Sequence, residues 1–78
     1  MEKTISLHDL PIGKLGKVKS LTAKGGIRRR LMDLGLVENT MVEALRKSPF
    51  GDPIAYQIRG AVIALRSEEA SKILVKPC

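Results

Sequence analysis

Seventy-eight residues carry fourteen Lys and Arg against eight Asp and Glu, a formal charge of +6. A chain this short makes one domain, residues 1–78, with too little interior both to fill a core and to enclose a ligand cavity of ~300 Å³ or more, so function is expected on the surface. At 44% hydrophobic the sequence is too apolar for a disordered tail, yet Phe50 and Tyr56 are its two aromatics, which makes the expected core aliphatic.

The charge is unevenly spread. Lys14, Lys17, Lys19, Lys24, Arg28, Arg29 and Arg30 follow one another with no acid between them, so this stretch holds +7 and the remainder of the chain −1. The single cysteine, Cys78, excludes an intrachain disulfide, and a cytoplasmic location is expected. The N-terminus has no apolar run of signal-peptide length, and no segment approaches the ~20 apolar residues of a membrane span.

In chain order, Ser6-Leu7-His8-Asp9 fits a Ser-x-x-acid capping pattern, and Pro11 ends what reads as a short helical turn. The stretch 14–21 alternates, with Lys17 and Lys19 on one side and Val18 on the other, as in a strand with one wet face. The main helix is expected over 27–34, because Ile27, Leu31 and Leu34 fall at i, i+4 and i+7. Gly35 stands where a left-handed residue closes a helix, and Leu36 pairs with Leu31 in the manner of a Schellman ending. Strands are expected over 41–47 and 54–59, separated by the loop Ser48-Pro49-Phe50-Gly51-Asp52-Pro53. Arg59-Gly60 reads as a tight hairpin turn into a strand over 62–66. Ser67 then caps a short turn enriched in Glu68 and Glu69, and 73–75 gives a last strand. The expected architecture is mostly β with short helices: about five strands curled into a small, partly open SH3-like barrel, with the helix between the first and second strands covering one opening.

Arg28, Arg29 and Arg30 are expected in the first turn of that helix, where unpaired N–H groups already make the environment positive and each cation costs on the order of 0.3–1 kcal/mol. Only Asp33, at i+4 from Arg29 and i+3 from Arg30, offers local relief. Two readings stand: the guanidinium groups pair with carboxylates brought close by folding, such as Asp52, or they face an external acidic surface, phosphate or anionic lipid. Phe50, on a loop stiffened by Pro49 and Pro53, folds back over the barrel as a lid on the favoured reading and anchors a partner on the other.

Other chemistries find little support. Gly13-Lys14-Leu15-Gly16 leads into a strand pattern and not between helices, so it is no KH loop, and Gly16-Lys17 lacks the rest of a P-loop. Two aromatics cannot line a groove for proline-rich peptides. One His, His8, placed on the surface, and one Cys form no ligand spacing, so no metal site or cofactor is expected beyond weak surface coordination by carboxylates or His8. No nucleophile has a base in a paired motif, so the chain is expected to bind and not to catalyse.

Arg28-Arg29-Arg30-Leu31-Met32-Asp33-Leu34-Gly35-Leu36, then Pro49-Phe50-Gly51-Asp52-Pro53, then Leu65-Arg66-Ser67-Glu68-Glu69-Ala70 strongly resemble, in order and spacing, the FeoA family of ferrous iron transport proteins. The resemblance runs from Leu7 to Val75 and implies that Leu31, Asp33, Leu34, Gly35, Gly51, Pro53 and Arg66 are motif residues of the fold. It implies an SH3-like barrel in the cytoplasm, with no enzymatic activity, whose partner is FeoB, the membrane permease with a cytosolic G-protein domain. The partner-binding residues expected on this reading are Arg28, Arg29, Arg30, Phe50 and Asp52. The fold also resembles the C-terminal domain of iron-dependent repressors of the diphtheria toxin repressor type. The alternative is therefore a nucleic-acid-binding or iron-regulator-type domain using the basic stretch 14–30.

Overall fold

Alternation of apolar and polar residues sets the sheet of this protein. Residues 3–78 are described by a computed structural model. The strands are β1 (Ile5–Ser6), β2 (Leu15–Leu21), β3 (Met41–Lys47), β4 (Ile54–Ile58), β5 (Ala61–Leu65) and β6 (Ile73–Pro77). Helix α1 (Gly25–Asp33) lies between β2 and β3, the single turn α2 (Ser67–Ala70) lies between β5 and β6, and a 3-10 turn spans Leu7–Asp9. The strands form one antiparallel sheet in the order β1-β6-β2-β3-β4-β5. The sixth strand, β1, is only two residues long, too short for a periodicity to reveal, and it pairs with β6.

Two bulges bend this sheet. The register of β2 against β6 slips between Val18 and Ser20, and that of β3 against β4 slips between Ala44 and Arg46. A bulge adds local twist and curvature, which lets a single sheet wrap around its own apolar face. That face carries Val18, Val42, Ala44, Ile54, Ile58, Leu65, Ile73 and Val75, with Tyr56 the one aromatic among them. Leu7 and Leu10 from the 3-10 turn and Ala70 from α2 are buried against the same core.

Helix α1 differs from its sequence expectation in two ways. It begins at Gly25, two residues early, with Lys24 at the N-cap position. Ile27 is 43% exposed and Leu34 only half-buried, so Leu31 is the one fully buried side chain the helix supplies. Apart from the Arg28 side chain, which reaches the end of β2, only Leu31 of the i, i+4, i+7 face is fully packed into the core.

The ending at Gly35 is as the sequence predicts. The Leu36 N–H donates to Leu31 O and the Gly35 N–H to Met32 O, each at 3.0 Å, with Gly35 at φ +99°. A Cβ at Gly35 would also stand 3.1 Å from Cδ of Arg59, so this turn packs directly on the β4–β5 hairpin. Arg59 and Gly60, at φ +52° and +81°, make that hairpin the tight turn expected, with strand pairing resumed at Ala61. Asn39 also has positive φ, at 75°, in the turn before β3.

Two measurements test this packing. Gly35→Ala is expected to lower stability by about 1–2 kcal/mol in urea unfolding, since an L side chain is penalised in the left-handed region. The Tyr56 hydroxyl, which donates to Leu7 O at 3.3 Å, is pushed from 10.0 to about 12 by burial, with the Asp52 and Asp9 carboxylates adding. The unfolded chain therefore ionises Tyr56 first. Its contribution is intact below pH 10 and is lost as the pH rises toward 12, by up to about 2–3 kcal/mol. The difference in stability between the protein and Tyr56→Phe should narrow across that window, and a constant difference would show that Tyr56 titrates normally.

Candidate functional site

Gly25, Gly26 and Ile27 occupy the opening positions of α1, so Arg28 closes its first turn and Arg29 and Arg30 lie beyond it. The dipole penalty expected of the latter two is thus largely removed, and Arg30 lies in the last turn, where a cation is favoured. At ~100° per residue the three arginines fan outward to different surroundings. Arg28 Nη1 donates to Leu21 O at 3.1 Å, tying the helix to the end of β2. Arg30 Nη1 pairs with Glu69 Oε2 on α2. Arg29 is exposed and, among the described residues, has no hydrogen bond or ion pair. Asp33 forms no ion pair with Arg29 or Arg30 among the described residues, so the local relief expected from the sequence is not used.

Two carboxylates serve the free N–H groups at the start of α2. Asp52 Oδ1 accepts from the Ser67 N–H at 2.7 Å, while its other oxygen stands 3.9 Å from Arg66 Nη1. Glu69 Oε1 accepts from the Arg66 N–H at 3.1 Å. Arg66, and not Ser67, therefore occupies the N-cap position, and the cap is supplied by side chains from outside it. Asp52 meets Arg66 and not the arginines of α1. The Asp52–Arg66 pair is solvent-exposed and is worth about 0–1 kcal/mol at most, whereas the helix-capping bond is the short one.

The same residue shapes the 48–53 loop. Ser48 Oγ donates to Asp52 O at 2.7 Å, the Gly51 N–H to Ser48 O at 2.9 Å, and the Ser48 N–H to Pro53 O at 3.1 Å. The Asp52–Pro53 peptide is cis. This closed loop directs Phe50 away from the barrel, where it is 96% exposed. Phe50 is not a lid. Leu7, Leu10 and Ala70 are among the residues from outside the long strands and α1 that pack on the core, and Phe50 is not.

Around α1 the surface is hollowed twice. A cleft of about 230 Å³ between the helix and β2 has Val18, Met32 and Leu36 on its apolar side and Lys19, Arg28 and Glu38 as charged lining. A shallower hollow of about 310 Å³ lies over Gly25, Arg28, Arg29, Met32 and Asp33. Met32 is shared by both and is 43% exposed. It stands at i+4 from Arg28 and i+3 from Arg29, a spacing that places it on their face and that the sequence therefore contained. Glu69 was legible as a dipole acid but not as the partner of Arg30, which lies thirty-nine positions away.

His8 is half-buried and not fully exposed, and its Nδ1 is buried with no hydrogen-bond partner among the described residues. Cys78 is exposed, and its N–H donates to Leu15 O. Among the described residues no three His, Cys, Asp or Glu side chains gather as a metal site. Among them, too, no helix is long and apolar enough to cross a membrane.

Comparison with known proteins agrees with this architecture. The chain is 29% identical over 70 residues to the Fe(2+) transport protein A/Fe(2+) transporter FeoB fusion protein of Porphyromonas gingivalis, a match covering 90% of this chain and 8% of that one. The chain thus spans under a tenth of that relative's length. The solution structure of a FeoA-like protein from Clostridium acetobutylicum superposes with a TM-score of 0.90 at 39% identity, covering 99% of this chain and 90% of the other. The zinc-complexed crystal structure of FeoA from Stenotrophomonas maltophilia, described as a prokaryotic SH3 domain protein, does so with a TM-score of 0.83 at 33% identity, covering 92% and 89%. The FeoA domain matches residues 5–77, nearly the whole sequence, and the chain belongs to the FeoA family.

Proposed function

We propose that this protein is a cytoplasmic accessory of ferrous iron uptake that docks on the cytosolic side of a FeoB-type transporter and modulates transport by binding. The observation that carries the reading is the Porphyromonas gingivalis relative, in which a segment similar to this chain is one polypeptide with a FeoB transporter. A module linked to its partner acts at high effective concentration, which is useful only where the two surfaces meet. Modulation then follows from differential affinity: a module that prefers one conformation of the transporter's cytosolic domain raises its population.

The contact residues are those that the fold leaves unused. Arg29 is exposed with no ion pair or hydrogen bond among the described residues, and Arg28 and Met32 flank it. Phe50 presents a whole aromatic side chain at the tip of a loop held by its own hydrogen bonds. An aromatic and an arginine on a rigid base make effective anchors, because little conformational freedom is lost when they are covered. Arg30 and Asp52 hold these anchors in place and touch the partner less.

Replacing anchors and supports should give opposite signatures. Phe50→Ala and Arg29→Ala are expected to change folding stability by less than about 0.5 kcal/mol. Each should weaken capture of the transporter's cytosolic domain by about tenfold or more and lower iron uptake in cells. Asp52→Ala should cost about 1–2 kcal/mol of stability in chemical unfolding, by removing the acceptor for the Ser67 N–H. Unchanged capture by both folded anchor variants would refute this contact.

A further inference from the structure

Strand β5 reads Ala61-Val62-Ile63-Ala64-Leu65 and is bonded to a neighbour, β4, on one side only. The two-residue turn at Arg59-Gly60 makes Ile58 and Ala61 a hydrogen-bonded pair, and alternation along the ladder then bonds Tyr56 to Ile63 and Ile54 to Leu65. The N–H and C=O groups of Val62 and Ala64 therefore point away from β4. Among the described residues no turn or loop backbone group bonds them. Sheets protect such edges with charges, proline, bulges or a covering element. This strand has no charge or proline, pairs with β4 without a bulge, and leaves Ala61 and Ala64 exposed and Val62 57% exposed.

The surroundings of the edge are mostly basic. Arg59 and Arg66 stand just beyond its two ends, both exposed. Beside it Arg46 and Lys47 line, with Pro53, Ala55 and Ala64, a hollow of about 310 Å³. Neither β4 nor β5 contains an acid. Asp52, the acid near the edge, accepts from the Ser67 N–H and stands 3.9 Å from Arg66, which leaves Arg46, Lys47 and Arg59 as the cations with no ion pair among the described residues. We propose that β5 is a docking edge for an extended acidic segment of a partner protein, which adds a strand by bonding Val62 and Ala64 and sets carboxylates against Arg46, Lys47, Arg59 and Arg66.

Strand addition gains its affinity from main-chain bonds and its selectivity from alternate side chains. Small residues suit the outer face here, because Ala55 and Ala64 leave room above the hollow. Charge disfavours a second copy of this chain: two β5 strands paired antiparallel about Ile63 would set Arg66 opposite Gly60 and beside Arg59 of the other copy, at both ends of the pairing. A nucleic-acid backbone would meet the cations but leave the alternating donors and acceptors of β5 unmatched.

The probe is a synthetic peptide of alternating valine and threonine with two aspartates at each end, titrated into the isotope-labelled full chain and followed by amide NMR. The Val62 and Ala64 amides should shift, and their hydrogen exchange should slow by about tenfold or more. Arg46→Glu combined with Lys47→Glu should weaken binding by about tenfold or more. Ala64→Pro, which removes a donor that β4 does not use, should abolish it. If the proline variant fails to fold, the charge-reversed variant, altered at two exposed positions, carries the test alone. Equal binding of a peptide with lysine ends, shifts elsewhere without Val62 and Ala64, or no binding at millimolar peptide would overturn the proposal. So would concentration-dependent protection of Val62 and Ala64 without peptide, which would assign the edge to a second copy.

Discussion

The bond from the Ser67 N–H to Asp52 Oδ1 carries the β4–β5 pairing, which ends at Ile54 and Leu65, into the loop before β4 and the turn after β5. A one-turn helix has unpaired N–H groups at its start, and Arg66, at the cap position, offers no acceptor side chain. Asp52 supplies one from the β3–β4 loop, and Glu69 supplies another from within the turn itself. Once Asp52 is fixed, its carbonyl closes the loop through Ser48 and turns Phe50 outward. Once Glu69 is fixed, its second oxygen holds Arg30 and with it the near end of α1. The charged residues of the family motif are thus first a scaffold, and the exposed aromatic follows from it.

This arrangement divides the basic stretch by use. Arg28 and Arg30 serve the fold, Lys17 and Lys19 are half-buried along β2, and Lys14, Lys24 and Arg29 are left exposed. The net charge of +6 therefore overstates what is offered to a partner. Position, and not total charge, is the informative quantity, because a cation already paired within the chain contributes little new attraction at short range.

Much of the fold was legible in the sequence. Strand β3 falls at 41–47 as its residues suggest, and the Gly35 ending and the Arg59-Gly60 turn were visible because each needs a residue type tolerant of positive φ. Local chemistry writes such signals into a few adjacent positions. The start of α1 was misplaced because Gly25 and Gly26 are poor helix formers, and the opening turn forms regardless. Ile27 was misread because periodicity reports a shared face and not what lies opposite it. Phe50 differs for a related reason: an aromatic in a small domain is usually covered, and its spacing does not encode the loop hydrogen bonds that carry it outward. The partners of Arg30 and Asp52 are long-range consequences of topology, which spacing does not encode.

A partner reads what the scaffold does not use. Labelling the arginine side chains and Phe50 for NMR and adding the cytosolic domain of a FeoB-type transporter distinguishes the two sets of residues. The Arg29 Nε and Phe50 ring signals should shift or broaden, while the Arg30 Nε and Ser67 amide signals stay in place. Movement of Arg30 and Ser67 with Arg29 and Phe50 unchanged would contradict this.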